Sequence, residues 1–127
     1  MPTAEHMRAT VEAYAAAHSA GDIDGIVEVF ASDAVVADPV DQPAHHGREA
    51  IRAFFANTHE FIDSMELRVT GPIRAVDRFA AVPFQAVSVV GGSKVAVDII
   101  DVMTFDDAGK ITTMRAFWDP AEMRPAE

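Results

Sequence analysis

Residues 80 to 118 hold three long runs of β-type alternation with only tight turns between them. Ala80 to Val90 leads into Gly91-Gly92, Lys94 to Phe105 leads into Asp106-Asp107-Ala108-Gly109, and Lys110 to Trp118 closes the set. Connections this short can only reverse the chain, so the three strands form an antiparallel meander. Two shorter runs precede it, Met65 to Val69 and Ile73 to Val76, separated by Gly71-Pro72. A long sheet of this kind has to be covered, and the first half of the chain supplies the cover.

That half reads as helices. Residues 4 to 20 place Met7, Val11, Tyr14 and Ala15 at the spacing of one helical face. Gly21 is a natural stop, and Asp22 can cap a second helix. That helix, Ile23 to Phe30, puts Ile26, Val27 and Phe30 on one side. A short apolar run, Ala34 to Ala37, ends at Asp38-Pro39, where proline breaks regular pairing and leaves Asp38 at a strand end or turn. After a polar loop, a third helix from Arg48 to Thr58 carries Ile51, Phe54 and Phe55 on its apolar side. Helices first and a meander after make an α+β domain. The expectation is a cone-shaped, curved, mainly antiparallel sheet packed on three N-terminal-half helices, one domain over residues 1–127. Its apolar mouth suits a hydrophobic ligand.

Charge narrows the partners. Twenty acidic residues against ten Lys and Arg give a formal charge of -10. Such a surface repels phosphate backbones and anionic membranes, so no nucleic-acid partner is expected. No apolar run is long enough for membrane insertion, and the N-terminus lacks the pattern of a signal peptide. There is no cysteine, which excludes disulfides, iron–sulfur ligation and thiol nucleophiles. A cytoplasmic protein is the expectation.

One residue stands out against this pattern. In the strand from Lys94 to Phe105 one face is Val95, Val97, Ile99, Asp101, Met103 and Phe105. Asp101 therefore sits in an apolar stripe, with no Lys or Arg within six residues on either side. A carboxylate in such a place costs several kcal/mol, so the group tends to take up a proton. A neutral acid in a dry cavity is a hydrogen-bond donor for a developing oxyanion. A lone acid there also fits an ion pair with a distant Arg or a subunit interface. The opposite face also mixes apolar and polar residues, so the strand is expected to be covered on both sides. On that face Asp98 reads as a structural acid facing a helix or a partner chain.

Other candidates are weaker alone. Tyr14 is the only tyrosine, on the buried face of the first helix, where a core role is equally natural. Asp38 before Pro39 is also a simple turn residue. His45-His46 lie in a polar loop with no further ligand at helical or hairpin spacing, so no metal site is expected. Neither a phosphate-binding glycine loop nor a nucleophile elbow occurs.

Taken together and in order, these residues resemble the bacterial ketosteroid isomerases, or steroid delta-isomerases, of the nuclear-transport-factor-2-like fold. The resemblance runs nearly end to end. It is carried by Tyr14 with Gly21-Asp22-Ile23-Asp24-Gly25-Ile26-Val27, by Asp33-Ala34-Val35-Val36-Ala37-Asp38-Pro39, and by His46-Gly47-Arg48-Glu49-Ala50-Ile51-Arg52-Ala53-Phe54. It continues in Asp98-Ile99-Ile100-Asp101-Val102-Met103-Thr104-Phe105 and Met114-Arg115-Ala116-Phe117-Trp118.

The resemblance implies an enzyme that converts Δ5-3-ketosteroids to Δ4-3-ketosteroids without a cofactor or metal. Asp38 matches the general base. Tyr14 and Asp101 match the two donors that hold the dienolate oxygen. Trp118 matches a pocket residue that supports the base through its indole N–H. Phe54, Val82, Phe84, Ala86, Val97, Ile99, Met114, Ala116 and Trp118 are the expected substrate wall. A homodimer is expected too. Family members carry further tyrosines that hydrogen-bond to the catalytic one, whereas Phe55 and Phe30 stand at the corresponding positions here. Two alternatives remain: a non-catalytic module binding a steroid or polyketide, and a related hydrolase or cyclase. Epoxide hydrolases of this fold set an Arg between two Asp residues, and this chain has no convincing match.

Overall fold

The computed structural model describes residues 1–126. Helix α1 (Ala4–Ala20) starts at Thr3, whose hydroxyl accepts from the His6 N–H at 3.0 Å, and ends at Gly21 in the left-handed conformation. Helix α2 (Ile23–Glu28) is capped by Asp22, which accepts from the Gly25 N–H at 3.1 Å. Strand β1 (Phe30–Ala37), the two-residue β2 (His45–His46) and helix α3 (Gly47–Phe61) complete the first half. The second half is β3 (Ser64–Val69), β4 (Arg74–Val76), β5 (Phe79–Val90), β6 (Ser93–Phe105), β7 (Ile111–Phe117) and the short β8 (Arg124–Pro125).

The sheet order is β2-β1-β7-β6-β5-β3, with β4 on β5 and β8 on β6. The antiparallel meander β5-β6-β7 turns through Gly91-Gly92 with φ of 58° and 84°, the backbone that a two-residue hairpin needs. Against its inner face pack α1 and α3. Their Met7, Val11, Tyr14, Ile51 and Phe55 meet Val82, Phe84, Met103 and Met114 in one core. The fold is the α+β cone: three helices on a large, curved, open sheet.

Three expectations need correction. Phe30 does not end the second helix; it begins β1, which pairs parallel with β7 and makes the sheet mixed. Ser32 and Asp33 hide that strand in the sequence, because they fall at a register shift between Phe30 and Val35 where the strand leaves regular pairing. The outer face of β6 is not covered within the chain, where Asp98 and Ile100 are exposed. Within the chain, Asp98 pairs with no helix. Arg124 from β8 reaches it at 3.2 Å.

Candidate active site

A cavity of about 760 Å³ lies between the sheet and the helices, a size suited to a rigid apolar small molecule. The alternation of β5 and β6 builds one wall. Phe84, Ala86 and Ser88 point inward from β5, and Val97, Ile99 and Asp101 from β6. Helix α3 contributes Phe54, Phe55 and Thr58, and α1 contributes Tyr14 and His18. The cavity runs from a closed end at Asp101 to an end lined by Val90 and the exposed Phe61.

Three polar groups predicted from the sequence meet in this cavity: Tyr14, Asp38 and Asp101. Asp101 is only 3% exposed, and its Oδ1 is buried without a hydrogen-bond partner. Its cross-strand neighbours on the inner face are Val82 on one side and Ala116 on the other. Burial first, and then the charge of Asp38, raise the Asp101 carboxyl well above its ordinary 3.8. Like charges sharing a dry site cannot both be ionised cheaply, and Asp101, the more strongly raised of the two, is the one that holds its proton longer. Tyr14 is similarly lifted well above 10.0, by burial and then by Asp101 and Asp38, so it stays a phenol and a donor.

Asp38 follows the last residue of β1, at a bend held by Val40, whose N–H donates to the Ala116 carbonyl at 2.9 Å. The Trp118 indole Nε1–H donates to Asp38 Oδ1 at 2.6 Å. Burial raises the Asp38 carboxyl; the Trp118 hydrogen bond, and beyond it the charge of His45, pull it back. The balance leaves a carboxyl that binds its proton more tightly than a surface carboxylate does. His45 itself stacks on Phe54 with centroids 4.1 Å apart.

The expected substrate wall divides. Phe54, Phe84, Ala86, Val97, Ile99 and Trp118 line the cavity. Val82, Met114 and Ala116 do not; each is at most 2% exposed and packed at the closed end. Strand parity places all of them on the inner face, but each is sealed in the packed interior. These three therefore keep Asp101 dry and do not form the cavity wall. His18 is one of several polar lining residues missing from the sequence prediction, with Gln42, His45, Asn57, Thr58 and Ser88, although the 7–11–14–18 spacing carries its signal. Among the described residues, no cluster of three or more His, Asp or Glu side chains could hold a metal ion. Among the described residues, no helix is long and apolar enough to cross a membrane.

Residues 11–114 match the model of the SnoaL-like domain. A steroid delta-isomerase of Nocardioides simplex is 38% identical over 117 residues, covering 92% of this chain and 93% of that protein. The solved structure of SalBIII, an epoxide hydrolase/cyclase-like enzyme with a role in pyran ring formation in the polyether salinomycin, superposes with a TM-score of 0.86. It is 26% identical, over 96% of this chain and 97% of that one. The family match spans most of the chain, and the isomerase matches nearly all of it: the chain belongs to the SnoaL-like family of nuclear-transport-factor-2-like proteins.

Proposed function

We propose that this protein is a steroid delta-isomerase that moves a carbon–carbon double bond into conjugation with a ketone. The observation that carries the proposal is the meeting of two carboxyls and one phenol in a single apolar cavity, with Asp101 and Tyr14 raised well above their ordinary values and Asp38 held back by Trp118. The Asp38 carboxylate removes the proton from the carbon between the ketone and the double bond. The electron pair moves onto the ketone oxygen, giving a dienolate. The Tyr14 hydroxyl and the protonated Asp101 donate to that oxygen as its charge grows. Asp38 then returns the same proton two carbons further along, and the ketone re-forms. Atoms and electrons balance with no cofactor. The 38% identity to the Nocardioides simplex isomerase supports the same reading.

The test is direct. Purified protein mixed with a Δ5-3-ketosteroid should give rising enone absorbance. No rise at micromolar enzyme, with the steroid bound, overturns the assignment and leaves a binding module.

The reading extends to the assembly. Pro83, Ile100 and Phe117 form one row across β5, β6 and β7 on the outer face, with Ile100 and Phe117 exposed. That row supports a homodimer packed sheet to sheet. A cytoplasmic location remains part of the proposal.

A second reading keeps the site and changes the substrate. The likeness to SalBIII favours it. A neutral acid and an ionised acid could also open an epoxide, the first protonating its oxygen and the second activating the attacking hydroxyl. Incubation with a hydroxy-epoxide, read by mass-neutral ring closure, separates the two.

A further inference from the structure

Four rings surround the Tyr14 phenol. Phe30, Phe55 and Phe84 have centroids 6.1, 6.2 and 6.2 Å away, and His18 is closer, at 4.6 Å and 78°. Of the four, only His18 has polar atoms. It lies one turn beyond Tyr14 on α1, about 6 Å along the axis. Its Nδ1 is 2.9 Å from Nε2 of the half-buried His59 on α3. Burial, followed by the charge of His59, lowers His18 to about 3, so its ring is neutral at ordinary pH.

The other ring nitrogen is unaccounted for. His18 Nε2 is buried and has no hydrogen-bond partner. The two nitrogens of an imidazole point to opposite sides of the ring. His59 occupies the Nδ1 side, so Nε2 lies on the far edge of a ring whose centroid is 4.6 Å from that of Tyr14 and 5.0 Å from that of Phe55, both edge-to-face at 78°.

Two neutral arrangements of the pair exist. If His18 Nδ1–H donates to His59, Nε2 is left as a bare lone pair against electron-rich rings. If His59 Nε2–H donates to His18 Nδ1, then Nε2 carries a hydrogen, and an N–H over an aromatic ring is weakly favourable. The second arrangement leaves less unsatisfied, and it puts the positive end of the His18 ring dipole on the side away from His59, in a ring packed edge-to-face on Tyr14.

We propose that His59 holds His18 in its Nε2–H form, and that His18 then acts as a positioning residue for Tyr14, orienting the phenol and strengthening it as a donor. This rests on the isomerase reading for its effect on turnover, but not for its effect on Tyr14. A fixed dipole packed against the phenol favours the charge that builds on it while the enolate forms. The supporting side chain thus reaches Tyr14 from its own helix, in a site where Phe30 and Phe55 can offer no hydrogen bond.

The experiment has two arms. Nitrogen-15 NMR of histidine-labelled protein reads the tautomer directly. His18 should show a protonated Nε2 and a bare Nδ1, and the reverse form overturns the proposal. Tyr14 is the only tyrosine, so tyrosine labelled at Cζ gives one carbon-13 resonance. His59→Leu should move it, and His59→Gln, whose amide can still donate to His18 Nδ1, should bring it back. In the kinetic arm, His59→Leu and His18→Phe should lower kcat about tenfold, less than the loss of a whole donor, with KM changed by no more than about twofold. His59→Gln should recover most of the rate. An unmoved Tyr14 resonance together with unchanged kcat in His59→Leu overturns the proposal. If His18→Phe does not fold, the half-buried His59 variants still decide the matter. The NMR arm needs no turnover, so absence of isomerase activity in the wild type counts against the isomerase reading and not against this one.

Discussion

The Trp118 indole Nε1–H donates to the Asp38 carboxylate at 2.6 Å, joining residues 80 apart in the chain. The bond stabilises the ionised base, because a donor favours the charged form of its acceptor. Trp118→Phe removes it while keeping most of the packing. The Asp38 carboxyl should then rise further. The base works as a carboxylate, so activity is lost as pH falls through its pKa. The acid limb of kcat/KM should therefore move to higher pH in the variant. A limb that does not move would separate Trp118 from the base.

Asp38→Asn keeps the shape of the residue and removes the base. Turnover should fall by roughly 10²–10⁴, the usual contribution of general base catalysis. Steroid affinity, measured by fluorescence quenching of the lone tryptophan, should survive. A variant with near-normal turnover would assign the proton transfer elsewhere.

Tyr14→Phe and Asp101→Asn each remove or weaken one donor to the same oxygen. Each should cost roughly 10²–10³ in kcat. The double variant should lose less than the product of the two, because both act on one developing charge. Fully multiplicative losses would mean that the two do not share an oxyanion.

Asp101 also makes a prediction about stability. Its folded-state pKa is raised well above 3.8. Such a group contributes stability that is fully present below its unfolded value and is lost as pH rises toward its folded value. From about pH 4 upward, the wild type should lose ground against Asp101→Asn by up to about 1.4 kcal/mol per pH unit, until Asp101 ionises. His18 acts in the opposite sense, lowered from 6.5 to about 3, so it costs stability as pH falls below 6.5. That contribution is common to both proteins and drops out of the comparison, which urea titrations at several pH values can make.

Met114 distinguishes core from cavity wall. It is 0% exposed and pairs with Met103 across β6 and β7. Met114→Ala should cost about 2–5 kcal/mol of stability by leaving a void. At a temperature where the variant is folded, KM should be close to that of the wild type. A large KM change with little loss of stability would return Met114 to the substrate wall.

Much of this was legible in the chain. The meander is written in the alternation of residues 80 to 118 and in Gly91-Gly92, whose positive φ values a side chain resists. Local signals of this kind act over a few residues, so a sequence displays them openly. Parity also placed Asp101 and its apolar neighbours on one face. The pairing of β1 with β7 was not legible, because a parallel partner about 80 residues away leaves no local signature and Ser32-Asp33 interrupts the strand pattern.

Sequence alone determined which side chains face inward, since alternation along a strand is fixed by backbone geometry. Tertiary structure alone decided how deep each inward residue lies. Val82 and Phe84 share a face and a strand, yet one is sealed in the core and the other lines the cavity, a difference set by what packs over each and not by the alternation of β5. The same holds for the charges. Asp38 and Asp101 are chemically identical in sequence. The Trp118 hydrogen bond, which pulls the Asp38 carboxyl back from the rise that burial gives it, and the burial that first of all raises Asp101 well above 3.8 set the two carboxyls apart.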